Sequence, residues 1–209
     1  HGPRKDGVFH GRCEVYHPDG WRIFDGLWSY GTPWKGHVYD KDSSLAYVGE
    51  VNRFLQAHGK GTRYDKCGRR VYQGWMEDGV AHGPGCEINQ DGNVSSHVYM
   101  VKGRVTFGSF YFLDGTLMYK GQVGYTQGTS GTAHGRGRRY DEQGRLVYVG
   151  QFENGWFHGN GSLYRGDGTV SYEGEFRRND QCGRGRSFHR DGTVRVEGEW
   201  LDGVFSLER

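Results

Sequence analysis

One phrase, repeated about every 23 to 25 residues, constrains this chain more than any other feature. Its cleanest copy runs Tyr148-Val-Gly150-Gln-Phe152-Glu-Asn-Gly155-Trp-Phe-His158-Gly159-Asn-Gly161 and closes on Asp167-Gly168. The next copy opens with Tyr172-Glu-Gly174-Glu-Phe176. A period of this length belongs to stacked supersecondary units, each burying its apolar face against its neighbours. It argues against a core wrapped around an enclosed pocket.

The copies align residue by residue. Openings stand at Phe24-Asp-Gly26-Leu-Trp28, Tyr47-Val-Gly49-Glu-Val51, Tyr72-Gln-Gly74-Trp-Met76 and Tyr119-Lys-Gly121-Gln-Val123, and the series ends on Val196-Glu-Gly198-Glu-Trp200. The second half of the unit shows as His10-Gly11, His58-Gly59, His82-Gly83, His134-Gly135, His158-Gly159 and Cys182-Gly183. About nine units fill residues 1–209 as a single array, the first and last incomplete. Three departures predict bends, bulges or loops: Trp34-Lys35 replaces a His-Gly, Tyr-x-Gly is lost between Ser95 and Met100, and Tyr125 to Ala133 is inserted.

In Tyr172-Glu-Gly174-Glu-Phe176 the two rings and the glycine share one strand face, and the acids take the other. Glycine weakens a strand unless a ring lies across the bare backbone, and the ring two residues away can do so. Gly-x-x-His-Gly is expected to turn the chain, and Asp-Gly to start the next unit, because Asp-Gly favours φ > 0. The expected fold is all-β: an elongated single-layer antiparallel meander of roughly 17 short strands, a twisted rod about 80 Å long at ~4.8 Å per strand.

Composition fits a thin, ordered sheet. Hydrophobic residues make up 34% and aromatics 15%, with a mean hydropathy of −0.83. That is too polar for a thick core and too aromatic for disorder. A formal net charge of +2 is too mild for a nucleic-acid partner. No Gly-x-x-x-x-Gly-Lys-Ser/Thr loop occurs, and Glu173, Glu175, Glu197 and Glu199 alternate as a solvated face would. Catalysis is not expected. Cys13, Cys67, Cys86 and Cys182 fall in different repeats, about 10 Å or more apart, which fits a reducing cytoplasm better than a disulfide framework. The chain opens on His1 rather than Met, as a fragment of a longer repeat protein would.

The pattern resembles the MORN repeat (membrane occupation and recognition nexus), whose consensus reads Tyr-x-Gly-x-Phe-x-x-Gly-x-x-His-Gly-x-Gly followed by Asp-Gly. The resemblance covers nearly the whole chain. It implies about nine β-hairpin repeats. A chain made only of such repeats resembles the all-MORN cytoskeletal scaffolds of apicomplexan and kinetoplastid parasites. That likeness implies a non-catalytic, rod-like, self-associating scaffold in the cytoplasm, with cytoskeletal or membrane-associated proteins as partners. The alternative is a phosphoinositide-binding or protein-adaptor module, as in junctophilins, plant lipid kinases and some methyltransferases.

Four sets of residues are candidates for function. Trp200, Leu201, Val204, Phe205 and Leu207 put large apolar groups where a terminal strand would become polar, so the chain is expected to form a homodimer tip to tip. The alternative is that the tail folds back as its own cap. Cys182, standing where the motif has His, and His189 could supply two Cys and two His to one tetrahedral zinc shared between two chains. No other cofactor is required, and both residues could equally be ordinary turn residues. Arg177, Arg178, Arg184 and Arg186 could meet anionic lipid headgroups, although the acids among them blunt that potential. Trp28, Trp34 and Trp75 could line a partner groove, or the rings could only cover one another.

Overall fold

The computed structural model describes residues 1–125 and 131–206; most of the insertion after Tyr125, and Leu207, lie outside them. No helix occurs among the described residues, and the fold is an all-β antiparallel meander. It divides into two compact units at Arg104/Val105. The first begins with a small hairpin, Arg4–Lys5 against Val8–Phe9. It continues through Gly11–Tyr16, Arg22–Ser29, Thr32–Tyr39, Leu45–Val51, Ala57–Tyr64, Arg70–Glu77, Val80–Ile88 and Val94–Val101. The second holds most of Arg104–Tyr111, then Leu117–Gly124, Thr132–Tyr140, Leu146–Glu153, Trp156–Tyr164, Val170–Arg177, Asp180–Phe188, Val194–Leu201 and Val204–Phe205. The opening hairpin is a two-stranded sheet of its own, and from Gly11–Tyr16 onward the strands within each unit pair with their neighbours in sequence.

Two kinds of turn alternate. Asp78-Gly79, Asn154-Gly155 and Asp202-Gly203 have both φ angles positive (46° and 85°, 53° and 88°, 47° and 82°), as the right-twisting two-residue hairpin requires. At the other end, the loops are three residues long. Gly168 N donates to Arg165 O at 2.9 Å, Arg165 N donates to Thr169 O, and Gly168 has φ 85°. This is the type I turn with a left-handed glycine. The two-residue turns also stitch repeats together: Gly155 N donates to Ala133 O at 2.9 Å and Gly203 N to Gln181 O at 3.0 Å.

His-Gly does not turn the chain. His158 and Gly159 lie inside the strand Trp156–Tyr164, at a bulge where Gly150 faces Gly161 but Gln151 faces His158. The turn is complete at Gly155, and the two extra residues strengthen the local twist. His58, His82 and His158 point their Nδ1 atoms at carboxylates: Asp78 at 3.4 Å, Glu77 at 3.2 Å and Glu153 at 3.3 Å.

The repeating glycine places one glycine opposite another on strand after strand. In the first unit six align: Gly26, Gly36, Gly49, Gly61, Gly74 and Gly85. In the second unit the row has eight members, from Gly108 to Gly198. The reason lies in the buried rings. Tyr148, fully buried, lies over both Gly150 and Gly161, and a Cβ at either would collide with its ring. Tyr47, Tyr72, Tyr119 and Tyr172 do the same over their own glycine pairs. Each phenol donates to the carbonyl three residues on: Tyr47 to Glu50 O at 3.0 Å, Tyr119 to Gln122 O at 2.6 Å and Tyr148 to Gln151 O at 2.9 Å. Phenylalanines wedge between the tyrosines. Phe152 meets Tyr119 and Tyr148 edge-on at 5.2 Å, and Phe176 meets Tyr148 at 5.1 Å and Tyr172 at 5.2 Å. Interlocked T-shaped pairs of this kind seal one face of the sheet.

Candidate docking trough

The face opposite the rings stays open. The residues before and after each glycine point to this face, and between them the bare backbone of the glycine row forms the floor of a trough running across the strands. Its walls are the residues on either side of each glycine. In the second unit the trough includes a depression of about 620 Å³ over Gly121, Gly137 and Gly150, and another of about 890 Å³ over Gly174, Gly185 and Gly198. In the first unit a smaller one of about 290 Å³ lies over Gly26 and Gly36, beside the bidentate pair of Arg12 with Asp25 (2.9 and 2.6 Å). Arg12 holds the largely buried Asp25 carboxyl below the usual aspartate range, chiefly through those hydrogen bonds.

One wall is not merely solvated. Bulges leave a backbone N–H just past His-Gly without a ladder partner, and the residue after the strand glycine folds down to accept it. Gln122 Oε1 accepts from Arg136 N at 2.7 Å, Gln151 Oε1 from Asn160 N at 2.9 Å, and Glu175 Oε1 from Arg184 N at 3.1 Å. Glu175, expected as part of a solvated face, therefore caps a bulge. The signal is present in the sequence as Gly-Gln or Gly-Glu in most repeats, but it needs the bulge to be known. One repeat departs at both positions at once. Trp75 stands where the amide should be, and the facing residue is Pro84, which has no N–H to satisfy.

The candidate groups fare differently. Trp28 faces the ring side, against Phe9 at 5.3 Å and Phe24 at 6.3 Å. Trp75 projects on the trough face, 44% exposed, with Lys60 Nζ 5.4 Å from its ring. Trp34 occupies a bulge position, 48% exposed. The three do not line one groove, because Trp28 and Trp75 fall on opposite sides of the pleat.

Cys182 and His189 lie near opposite ends of the strand Asp180–Phe188, seven residues apart, roughly 20 Å in an extended chain. Burial pushes the Cys182 thiol up, which disfavours the thiolate that zinc needs. Among the described residues no cluster of three or more His, Cys, Asp or Glu is placed to hold a metal. The four cysteines are free thiols.

Arg177, Arg178, Arg184 and Arg186 do not form one cationic patch. Arg177 sits 3.7 Å from Asp202, Arg184 3.3 Å from Glu199, and Arg186 3.1 Å from Glu197. Arg178 occupies the first position of a two-residue turn, with φ 53°. Of the terminal apolar set, Trp200 packs on Tyr172 at 5.0 Å and donates Nε1–H to Gly185 O, while Phe205 packs on Trp200 at 5.6 Å and covers Gly198. These two act as a cap made by the chain itself. Leu201 and Val204, directly opposite each other, remain 62% and 68% exposed.

The model of the MORN repeat family matches residues 72–94, 148–170 and 172–194, each starting on a ring-face tyrosine. These three segments are MORN repeats. MORN repeats are non-enzymatic modules associated with membrane or phospholipid binding and with protein–protein interaction. The matched segments include the repeat in which Trp75 and Pro84 replace the capping pair. No curated protein matches the chain.

Proposed function

We propose that this chain is a non-catalytic scaffold, cytoplasmic and associated with the cytoskeleton. It joins a second copy through its last hairpin and holds partner proteins on its trough face. The observation that carries the self-association is the exposed pair Leu201–Val204, left uncovered where Trp200 and Phe205 have turned inward. A facing copy would remove both side chains from water. The arrangement of the faces supports the rest: one is sealed by rings and supplies cohesion, and the other stays open along many strands. The likeness to parasite cytoskeletal scaffolds agrees with this reading. The ion pairs around Arg177, Arg184 and Arg186 weigh against the alternative of a lipid-binding patch at those residues. Zinc is not required.

Molar mass by light scattering after size exclusion tests the self-association. The intact chain is expected near twice 23.7 kDa, and the double variant Leu201→Glu/Val204→Glu near 23.7 kDa. A mass of 23.7 kDa for the unaltered chain removes the self-association.

A further inference from the structure

The sequence Arg-Gly-Arg occurs twice at equivalent places in the trough, as Arg136-Gly137-Arg138 and Arg184-Gly185-Arg186. The surroundings of the two copies differ. Arg184-Gly185-Arg186 lies between Glu173-Gly174-Glu175 on one neighbouring strand and Glu197-Gly198-Glu199 on the other. Its arginines meet glutamates at 3.3 and 3.1 Å. Arg136-Gly137-Arg138 lies between Lys120-Gly121-Gln122 and Val149-Gly150-Gln151. Lys120 faces Arg138 directly, all three cations are exposed, and among the described residues no carboxylate lines the depression of about 620 Å³ that they share. Like charges opposed across a ladder are unfavourable, and here no acid offsets them.

We propose that this segment of the trough binds an extended acidic segment of a partner protein, with carboxylates at alternate residues. The inference rests on the reading of the trough as the partner-holding face. The second copy of Arg-Gly-Arg indicates the chemistry. There each arginine meets a carboxylate of a Glu-x-Glu strand, whose acids lie about 7 Å apart on one face, the same spacing as Arg136 and Arg138. An extended partner with acids at i and i+2 would reproduce that match from above. The neighbouring wall residues Val149, Gln151 and Asn160 are uncharged and offer no acid to compete with those of the partner. The attraction would be charge-assisted and salt-sensitive.

The test is fluorescence anisotropy of a labelled decapeptide of alternating Glu and Ser. It should bind the unaltered chain, more weakly as salt rises. Arg136→Glu/Arg138→Glu should weaken binding at least tenfold, and Arg136→Gln/Arg138→Gln should do so by a smaller factor while disturbing the fold less. Arg177→Glu/Arg178→Glu makes the same charge change outside the depression and should leave binding within about twofold. Equal loss in that control would mean that only net charge matters, and the proposal falls. If the peptide does not bind but vesicles of anionic phospholipid do, and Arg136→Glu/Arg138→Glu abolishes that binding, the occupant is a membrane and the proposal is overturned. Binding of neither probe also overturns it. A doubled molar mass in the same sample would show that self-association survives that failure.

Discussion

The stretch around Tyr148 and the stretch from Trp75 to Met100 are built on the same plan with different residues. Around Tyr148 a buried phenol covers two glycines, and Gln151 caps a bulge N–H. In the strand Val94–Val101, Ser96 stands where the tyrosine would be and Val98 where the glycine would be, and Val98 faces Gly85. Both are buried, and Ser96 Oγ donates to Glu87 Oε2 at 2.7 Å. The volume lost at one position returns at the other. Likewise Trp75 abandons the cap only where Pro84 removes the need for it. What the repeat preserves is filled space and satisfied backbone groups rather than residue identity.

Several experiments would break or sharpen that comparison. The largest effect is expected at high pH. Burial raises the hydroxyls of Tyr47, Tyr119, Tyr148 and Tyr172 to about 12, whereas in the unfolded chain they ionise near 10. Between those values the folded state holds more protons, so stability is complete below about pH 10 and falls as pH rises toward 12. Tyrosinate absorbance and circular dichroism should therefore change together; independent titration of the phenols in a folded protein would contradict the burial. Next in size is Gly161→Ala, which forces a methyl into the Tyr148 ring and should cost roughly 3 kcal/mol in denaturant unfolding. A loss below about 0.5 kcal/mol would show that the ring can shift aside.

Ser96→Tyr alone should overpack against Val98, and Val98→Gly alone should leave a void, each costing about 2 kcal/mol. Together they restore the regular pair, and a double-mutant cycle should recover more than about 1 kcal/mol. Strict additivity would mean that the exchange is not compensatory. Smaller again is Gln151→Ala, which removes an exposed hydrogen bond to the Asn160 N–H at a cost of about 1 kcal/mol. Trp75→Ala strands nothing and should stay within about 0.5 kcal/mol. Equal losses at the two positions would remove the capping argument.

The period, the glycine and the ring over it were all legible in the chain, because a two-residue alternation fixes which side chains share a face. The turn expected in Gly-x-x-His-Gly falls at its first glycine, Gly155, while its second, Gly159, serves a bulge; both need positive φ, so the sequence alone does not tell them apart. Alternation alone makes Glu175 a solvated residue, because its hydrogen bond to Arg184 N depends on a bulge in the neighbouring strand. Trp28 and Trp75 share aromatic character, but their parity relative to Gly26 and Gly74 separates them. Trp28 takes the ring position two residues after its glycine, and Trp75 the capping position one after.

By itself, the sequence determined the meander: turn residues with permitted positive φ at both ends of each hairpin, and a glycine wherever a tyrosine must lie flat against the strand. These are local and nearest-neighbour constraints, and a repeated phrase states them directly. Register and bulges were decided only by the tertiary structure. They placed Glu197 and Glu199 against one Arg-Gly-Arg and left the other without an acid. Which charges meet depends on pairings between strands, and a bulge shifts those pairings by whole residues without changing the phrase that encodes them.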